Sequence, residues 1–288
     1  MLHILRTFAR LLLRRRGEFV STWKTNNAGT SNPDQITLPL EAAGVYDFWV
    51  DWGDGGVPER IQAWNAAAKT HTYAAGAGTY TVKIWGQIQG WRFNNGGDKL
   101  KILSITSWGP LRLGNSGGYF YGCSNLTIPA TDTLDMTGTT SLATAFGSCS
   151  SITTIPSLAT LDTSLVTNMT EMFYNCTLFN QSLSNFNTSK VTSMAYMFNW
   201  CAAFNQDVSS FDIRLVTSML SMFSGANALS QANYEALLVA WEAQGPKPNV
   251  AFHAGDAVYG AGSAAATAKA SLVNPATYNW TITDGGPV

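Results

Sequence analysis

The sequence predicts a multidomain protein in which an all-β sandwich is followed by an α/β solenoid of stacked repeats and an α/β C-terminal cap. Two observations carry this prediction. Residues 161–231 repeat themselves with a strict period of 25, and residues 19–108 contain short apolar segments separated by turn residues. The predicted boundaries are 1–17 for a basic helix, 18–108 for the sandwich, 109–231 for the repeats and 232–288 for the cap.

The first segment of the chain is basic and amphipathic. Residues 1–16 contain five arginines and no acidic residue, and a helical wheel places the apolar side chains on one face. The segment is too short to span a bilayer, and its charges interrupt the apolar run that a secretory signal needs. We expect a docking helix, with a membrane-surface helix or an incidental tail as alternatives. The expected docking residues are Arg6, Phe8, Arg10, Leu12 and Arg14.

The segments 35–40, 46–52 and 79–85 are rich in β-forming residues and predict strands, with a tight turn at 53–56. Within this region DWGDG is followed by HTY at 71–73 and by GTYTV at 78–82. This order of motifs resembles the PKD-type immunoglobulin-like fold, and the resemblance implies a spacer or adhesion module. The segments 61–69 and 89–103 depart from the minimal pattern of that fold.

The acidic residues of this turn suggest a metal site. Asp51 and Asp54 are hard oxygen ligands that could bind calcium. The alternative is that each carboxylate accepts hydrogen bonds from neighbouring backbone amides. His71 has the same two interpretations, as a functional group or as a packed, hydrogen-bonded residue beside Tyr73. We predict no metal site.

The repeats predict one helix and one strand in each unit. The spacing of Val166, Met169, Met172, Phe173 and Cys176 follows one helical face, and the polar stretch between apolar anchors at 179–186 predicts a brief strand. The pattern V-T-x-M-x-x-M-F-x-x-C-x-x-F-N-Q occurs at 166–181 and 191–206. It resembles the BspA-like leucine-rich repeats of bacterial surface proteins and mycoplasma-type lipoproteins. The resemblance implies a surface or adhesion role and leaves the ligand open.

Four cysteines, Cys123, Cys149, Cys176 and Cys201, occupy the same position of successive units. Equivalent positions favour buried, small apolar residues over disulfides. Zinc is the alternative, although no C-x-x-C pair and no nearby histidine support it. After the last repeat, Ser230 predicts the start of a helix ending near Gln244. Strands are expected at 249–253 and 279–283, with an Ala-rich helix at 263–273 between them.

Composition and charge argue against nucleic-acid binding and catalysis. Outside residues 1–16 the chain has 12 basic and 18 acidic residues, a net charge of about −6. The three histidines lie in different segments, and the common hydrolase and nucleotide motifs are absent. We therefore expect no enzyme activity and no cofactor.

The sequence favours a non-enzymatic phage virion surface protein, acting as a fibre, decoration or receptor-binding protein. A bacterial cell-surface adhesin is the alternative and a glycan-degrading tail enzyme the third candidate. The first is favoured because no export signal is recognised. Its expected partners are virion structural proteins, through residues 1–16, and a host-surface glycan or protein. A homo-oligomer would suit a fibre, although no heptad run predicts one.

The expected recognition face is the strand side of the repeats. Neutral hydrogen-bonding groups there suit sugars, and the candidate ligand-binding residues are Ser182, Ser184, Asp207 and Ser209. Four neighbouring side-chain amides have a second interpretation, in which they form hydrogen bonds to the backbone of turns and so connect one unit with the next: Asn180, Gln181, Asn205 and Gln206.

Overall fold

The structure of the protein is a computed structural model that describes residues 17–288. The predicted docking residues Arg6, Phe8, Arg10, Leu12 and Arg14 lie outside the described residues. The strands of the first part are β1 (Phe19–Lys24), β2 (Gln35–Thr37), β3 (Leu40–Asp51), β4 (Glu59–Ile61), β5 (Thr70–Thr72), β6 (Thr79–Trp91), β7 (Ile102–Ser107) and β8 (Leu111–Arg112). Two short 3-10 helices span Ala67–Lys69 and Pro156–Thr160.

The N-terminal part is built on one six-stranded sheet. Its order is β4-β3-β6-β1-β7 with antiparallel neighbours, and β8 pairs in parallel with β6. In β3 the side chains of Tyr46, Phe48 and Val50 are buried, as the period of two requires. Asp47 and Trp49 therefore point to the opposite face of the sheet.

A separate two-stranded ribbon, β2 with β5, accompanies this sheet. A buried lysine anchors the loop before β2, because Lys101 Nζ donates to the carbonyl oxygens of Ser31, Asn32 and Gln35 at 2.9–3.1 Å. The strands predicted at 35–40, 46–52 and 79–85 are present. The predicted immunoglobulin-like sandwich is wrong, since the strands form one large sheet and a small ribbon in place of two comparable sheets.

Residues 109–230 of the repeat region contain no α-helix, so the predicted helix in each unit is wrong. The amide groups of Glu171, Phe173 and Asn175 donate to carbonyl oxygens of the following unit at 2.7–3.0 Å. An α-helix needs these donors for bonds to the residue four positions earlier. Glu171 and Asn175 also have φ values of 57° and 55°, which a right-handed helix excludes. The apolar spacing is produced by consecutive turns.

The strand predicted in each unit is also missing. Neighbouring units are joined by single parallel bridges, such as Asn168 with Ser193 and Ser193 with Ser218. Helix accounts for 11% of the structure, and its sheets are mainly antiparallel. The predicted fold class, a leucine-rich-repeat solenoid with an α/β cap following a sandwich, is therefore wrong.

Stacked rings fill the interior of the repeat region. The rings of Phe120, Phe146, Phe173, Phe198 and Phe223 follow one another at centroid distances of 5.4–6.0 Å and interplanar angles of 5–13°. The period of 25 produces this column, because each unit brings the same apolar positions inside. Offset aromatic pairs of this kind stabilise the stack beyond simple burial.

The C-terminal part contains α1 (Gln231–Ala243), α2 (Ala264–Val273), β9 (Ala251–His253), β10 (Val258–Tyr259), β11 (Thr281–Thr283) and β12 (Gly286–Pro287). The helix predicted to begin at Ser230 is confirmed, since Ser230 Oγ accepts from the amide of Asn233. The helix capped by Ser263 is also confirmed. The strands pair in parallel as β9 with β11 and β10 with β12.

Candidate functional site

One concave feature of the described residues is called the junction cleft. It lies between the outward face of the large sheet and the start of the repeat region and has a volume of about 680 Å³. It is lined by Asp47, Trp49, Arg60, Gly86, Gln87, Ile88, Gly109, Pro110, Arg112 and Asp135.

An aromatic residue forms part of the floor. Trp49 is half-buried and alternates along β3 with the buried Phe48 and Val50. Its neighbours across the sheet are Arg60 on β4 and Trp85 on β6. This position gives the cleft an apolar surface beside charged groups.

The first charged group of the cleft is a bidentate ion pair on the sheet. Arg60 Nε and Nη2 donate to the two carboxylate oxygens of Asp47 at 2.8 and 2.9 Å. The hydrogen bonds from Arg60 hold the pKa of the Asp47 carboxyl below its ordinary value. Both side chains are 46% exposed, so the pair fixes side-chain positions without excluding solvent.

A second ion pair enters from the repeat region. Arg112 Nε donates to Asp135 Oδ2 at 2.7 Å, while the amide of Thr137 donates to Asp135 Oδ1 at 2.9 Å. Burial raises the pKa of Asp135, but the hydrogen bonds from Thr137 and Arg112 outweigh it, and the pKa lies below its ordinary value. A parallel bridge between Arg112 and Asp135 sets their backbones side by side.

This arrangement favours binding over acid–base catalysis. Both carboxylates are ionised at neutral pH and are held in place by arginines. A glycosidase needs one carboxyl group whose pKa is raised so that it can donate a proton. The pKa values of Asp47 and Asp135 are shifted in the opposite direction. The cleft instead offers fixed acceptors, arginine donors and an indole ring.

The four ligand-binding residues predicted in the repeats lie away from the cleft. Ser182 Oγ bonds Ser184 Oγ at 3.2 Å, and Asp207 Oδ1 accepts from the amide of Ser209 at 2.8 Å. Each pair thus forms a local turn at equivalent positions of adjacent units. The side chains are exposed, except that of Ser209, which is half-buried.

The structural interpretation of the neighbouring amides is confirmed for Asn180, Gln181 and Asn205, which accept from backbone amides of other units. Asn180 Oδ1 accepts from the amide of Asn205, and Asn205 Oδ1 accepts from the amide of Ser230. Gln206 Nε2 donates to Asn180 Oδ1, and Gln181 Oε1 accepts from the amide of Ile155. Three of these side chains thus bond the backbone of a neighbouring unit, whereas Gln206 bonds the side chain of Asn180.

The turn at 51–56 likewise uses its carboxylates locally. Asp51 Oδ1 accepts from the amide of Gly53, and Asp54 Oδ1 accepts from that of Gly56. His71 Nε2 lies 2.9 Å from Asp54 Oδ2, and its ring stacks on Trp52 and meets the edge of Tyr73. The interpretation of His71 as a packed, hydrogen-bonded residue is confirmed.

The interpretation of the cysteines as buried residues is also confirmed. All four are free and buried. Cys149, Cys176 and Cys201 point Sγ at the carbonyl oxygens of Phe120, Phe146 and Phe173, at 2.9–3.1 Å. Burial raises the pKa of the thiols. The thiols therefore serve as weak donors between units.

Grouped metal ligands and membrane-spanning helices are both absent from residues 17–288. Within this range no three histidine, cysteine, aspartate or glutamate side chains are grouped as metal ligands would be. No helix in the same range has the length and apolar character needed to cross a membrane.

The sequence predictions missed the residues of the junction cleft. One signal for the cleft was available in the sequence. Trp49 is an aromatic residue on the face of the predicted strand that otherwise carries the polar residues Asp47 and Asp51. The Arg112–Asp135 pair carried no such signal, because its partners are 23 positions apart and belong to different turns.

One comparison with known proteins found a match. A family model described as "Mycoplasma protein of unknown function, DUF285" matches residues 140–244. The match covers about a third of the chain and is consistent with a mycoplasma-type surface repeat protein. It does not extend to the region that resembles the PKD-type fold. No curated protein and no solved structure matches the chain.

Proposed function

We propose that the protein is a non-enzymatic attachment protein, carried on a phage virion, that binds a host-surface glycan in the junction cleft. The observation that carries the proposal is the half-buried Trp49 on the cleft floor, flanked by the Asp47–Arg60 and Arg112–Asp135 ion pairs. Sugars combine apolar C–H faces with hydroxyl groups. The cleft would present an apolar lining to those faces, and carboxylate acceptors and guanidinium donors to the hydroxyls.

The ion pairs also support glycan binding through preorganisation. Each carboxylate is already oriented by its arginine before a ligand arrives, so less side-chain entropy is lost on binding. Because each acidic group is neutralised by a basic one, the cleft favours uncharged ligands over strongly anionic ones.

A bacterial cell-surface adhesin is the second candidate. The family match to a mycoplasma protein favours it, because the matched range covers much of the repeat region. Both candidates bind glycan at the same site. They differ in where the protein is displayed, which is a phage virion for the first and a bacterial cell surface for the second.

Glycan binding can be tested on an array of bacterial surface polysaccharides and neutral oligosaccharides, followed by calorimetry on the best ligand. We expect Trp49→Ala to weaken binding at least tenfold. The matched control is Trp64→Ala, which removes another exposed indole outside the cleft lining. Absence of binding by the unchanged protein would refute glycan attachment, and equal effects of the two substitutions would exclude the cleft as the site.

The virion assignment has a separate test. Full-length protein and a variant starting at Glu18 are compared by size-exclusion chromatography with light scattering. If only the full-length chain assembles, residues 1–16 act as an anchor and the virion proposal gains support. If both behave alike, the anchor is refuted and the adhesin becomes the better proposal.

A further inference from the structure

Two positions in each repeated unit adopt a left-handed backbone conformation. The first is occupied by Thr144, Glu171, Tyr196 and Ser221, with φ values of 50–57°. The second is occupied by Ser148, Asn175, Trp200 and Gly225, with φ values of 55–59° for the first three and 78° for the glycine. Of these units, the one spanning 191–215 carries aromatic residues at both positions.

The conformation is unfavourable for such side chains. Glycine and asparagine tolerate positive φ, whereas bulky residues do so only at an energetic cost. All four units adopt this conformation, so the fold imposes it, and the strain at Tyr196 and Trp200 comes from placing aromatic residues there. Strained residues cluster at functional sites. Trp200 is 58% exposed, compared with 43% for Trp64, so core burial does little to offset the strain.

The position of the Trp200 ring defines a flat platform. A Cβ atom added to Gly225 would lie 2.9 Å from Cε3 and 3.0 Å from Cδ2 of Trp200. One face of the indole therefore covers the glycine of the next unit, and the ring lies against the surface. A ring that protruded would suit insertion into a protein pocket, whereas a ring lying flat suits stacking with another flat group.

Most of the left-handed positions beside the platform carry neutral side chains. Tyr196 donates its amide to the carbonyl of Leu220 at 2.8 Å, and Leu220 is 46% exposed. On the preceding unit Asn175 Nδ2 lies 3.4 Å from Ser148 Oγ. Glu171 is the only charged residue at the left-handed positions of these units. The patch thus combines an aromatic plane with neutral amide and hydroxyl groups.

We infer that Tyr196 and Trp200 form a second binding site, which stacks a neutral pyranose ring on the Trp200 indole. The site is separate from the junction cleft, because none of its residues lines that cleft. A glycan chain bound here would contact the repeat region, whatever occupies the cleft.

The test uses full-length protein labelled with 5-fluorotryptophan. The chain has ten tryptophans, and the Trp200 resonance is identified by its loss in Trp200→Asn. Maltohexaose, cellohexaose and triacetylchitotriose are titrated to millimolar concentration. We expect at least one of them to shift the Trp200 resonance, and to do so equally in Trp49→Ala, which removes the indole of the cleft.

The substitution Trp200→Asn also separates function from stability, because the preceding unit has Asn175 at the same position. We expect its melting temperature to equal or exceed that of the unchanged protein. Added to Trp49→Ala, which removes the indole of the cleft, it should lower the affinity for the oligosaccharide measured by calorimetry at least tenfold. A melting temperature lowered by several degrees would show that the indole is structural and would overturn the inference.

Three further results would overturn it. One is that none of the sugars shifts the Trp200 resonance. Another is that the shift disappears in Trp49→Ala, which would assign all binding to the cleft. The third is a Trp200 resonance that shifts with protein concentration and not with added sugar. That result would show that the patch is an interface between copies of the chain.

Discussion

Replacing Glu171 with glycine distinguishes the helix predicted from the sequence from the turn found in the structure. In a helix over 166–176 this residue would lie in the interior. In the structure it has a φ of 57° and donates its amide to Ala195 of the next unit. The two conformations predict opposite signs for the change in stability.

The magnitude follows from backbone energetics. In a helix interior glycine is about 0.7–1 kcal/mol less favourable than glutamate. At a left-handed position the substitution removes about 1–2 kcal/mol of steric strain, and the greater flexibility of glycine in the unfolded chain returns about 0.5–1 kcal/mol. We therefore expect Glu171→Gly to raise the free energy of unfolding by up to about 1.5 kcal/mol, with a central value of about 0.75 kcal/mol.

Urea denaturation followed by tryptophan fluorescence measures the change, with the slope of the transition checked for constancy. The control is Ala202→Gly at an exposed turn position outside the left-handed region. It should lower the free energy of unfolding by about 0.5–1 kcal/mol, because only chain flexibility changes. If Glu171→Gly destabilises the protein as much as Ala202→Gly does, the turn conformation is wrong.

Three other predictions concern the core and the cleft. Phe173→Ala should lower the free energy of unfolding by about 3–5 kcal/mol, because the ring is fully buried between Phe146 and Phe198. If urea denaturation shows a loss below about 1 kcal/mol, the column of stacked rings is contradicted. Burial raises the pKa of the cysteine thiols, to about 12 for Cys201. The thiols are therefore protonated at about pH 8, and they should not react with Ellman's reagent in the folded protein. All four should react in denaturant, and labelling of the folded protein would show exposure. Glycan binding should be constant from about pH 8 to 4 and weaken only below the ordinary aspartate pKa of about 3.9, since hydrogen bonds hold the pKa values of Asp47 and Asp135 below it. Affinity that rises as the pH falls to about 4, measured by calorimetry, would exclude the ionised carboxylates as acceptors.

Part of the fold could be predicted because local patterns determine it. The alternation of Tyr46, Phe48 and Val50 specifies a strand with one buried face. Ser230 and Ser263 mark helix starts because their side chains accept from the first free amides. The period of 25 correctly identified the buried residues of the repeat region, since equivalent positions are buried in each unit.

The conformation of the repeats could not be predicted from the same pattern. An apolar spacing of 3, 3, 1 and 3 fits one face of a helix, and it equally fits consecutive turns that direct the same residues inward. The choice depends on where the amides of Glu171 and Phe173 find acceptors, and those acceptors lie in the next unit. Glutamate and tyrosine at left-handed positions give no warning, because glycine is the residue that normally signals them.

The repeat architecture also indicates where specificity can reside. Packing fixes the inward residues of each unit, so the phenylalanine and cysteine positions leave no freedom for recognition. The second left-handed position is different, because it is not fully buried in any of these units and serine, asparagine, tryptophan and glycine occupy it in turn. A tryptophan there strains the backbone and exposes an apolar ring, while the asparagine one unit earlier avoids both costs. Binding groups can thus change at this position, unit by unit, without disturbing the column of rings beneath.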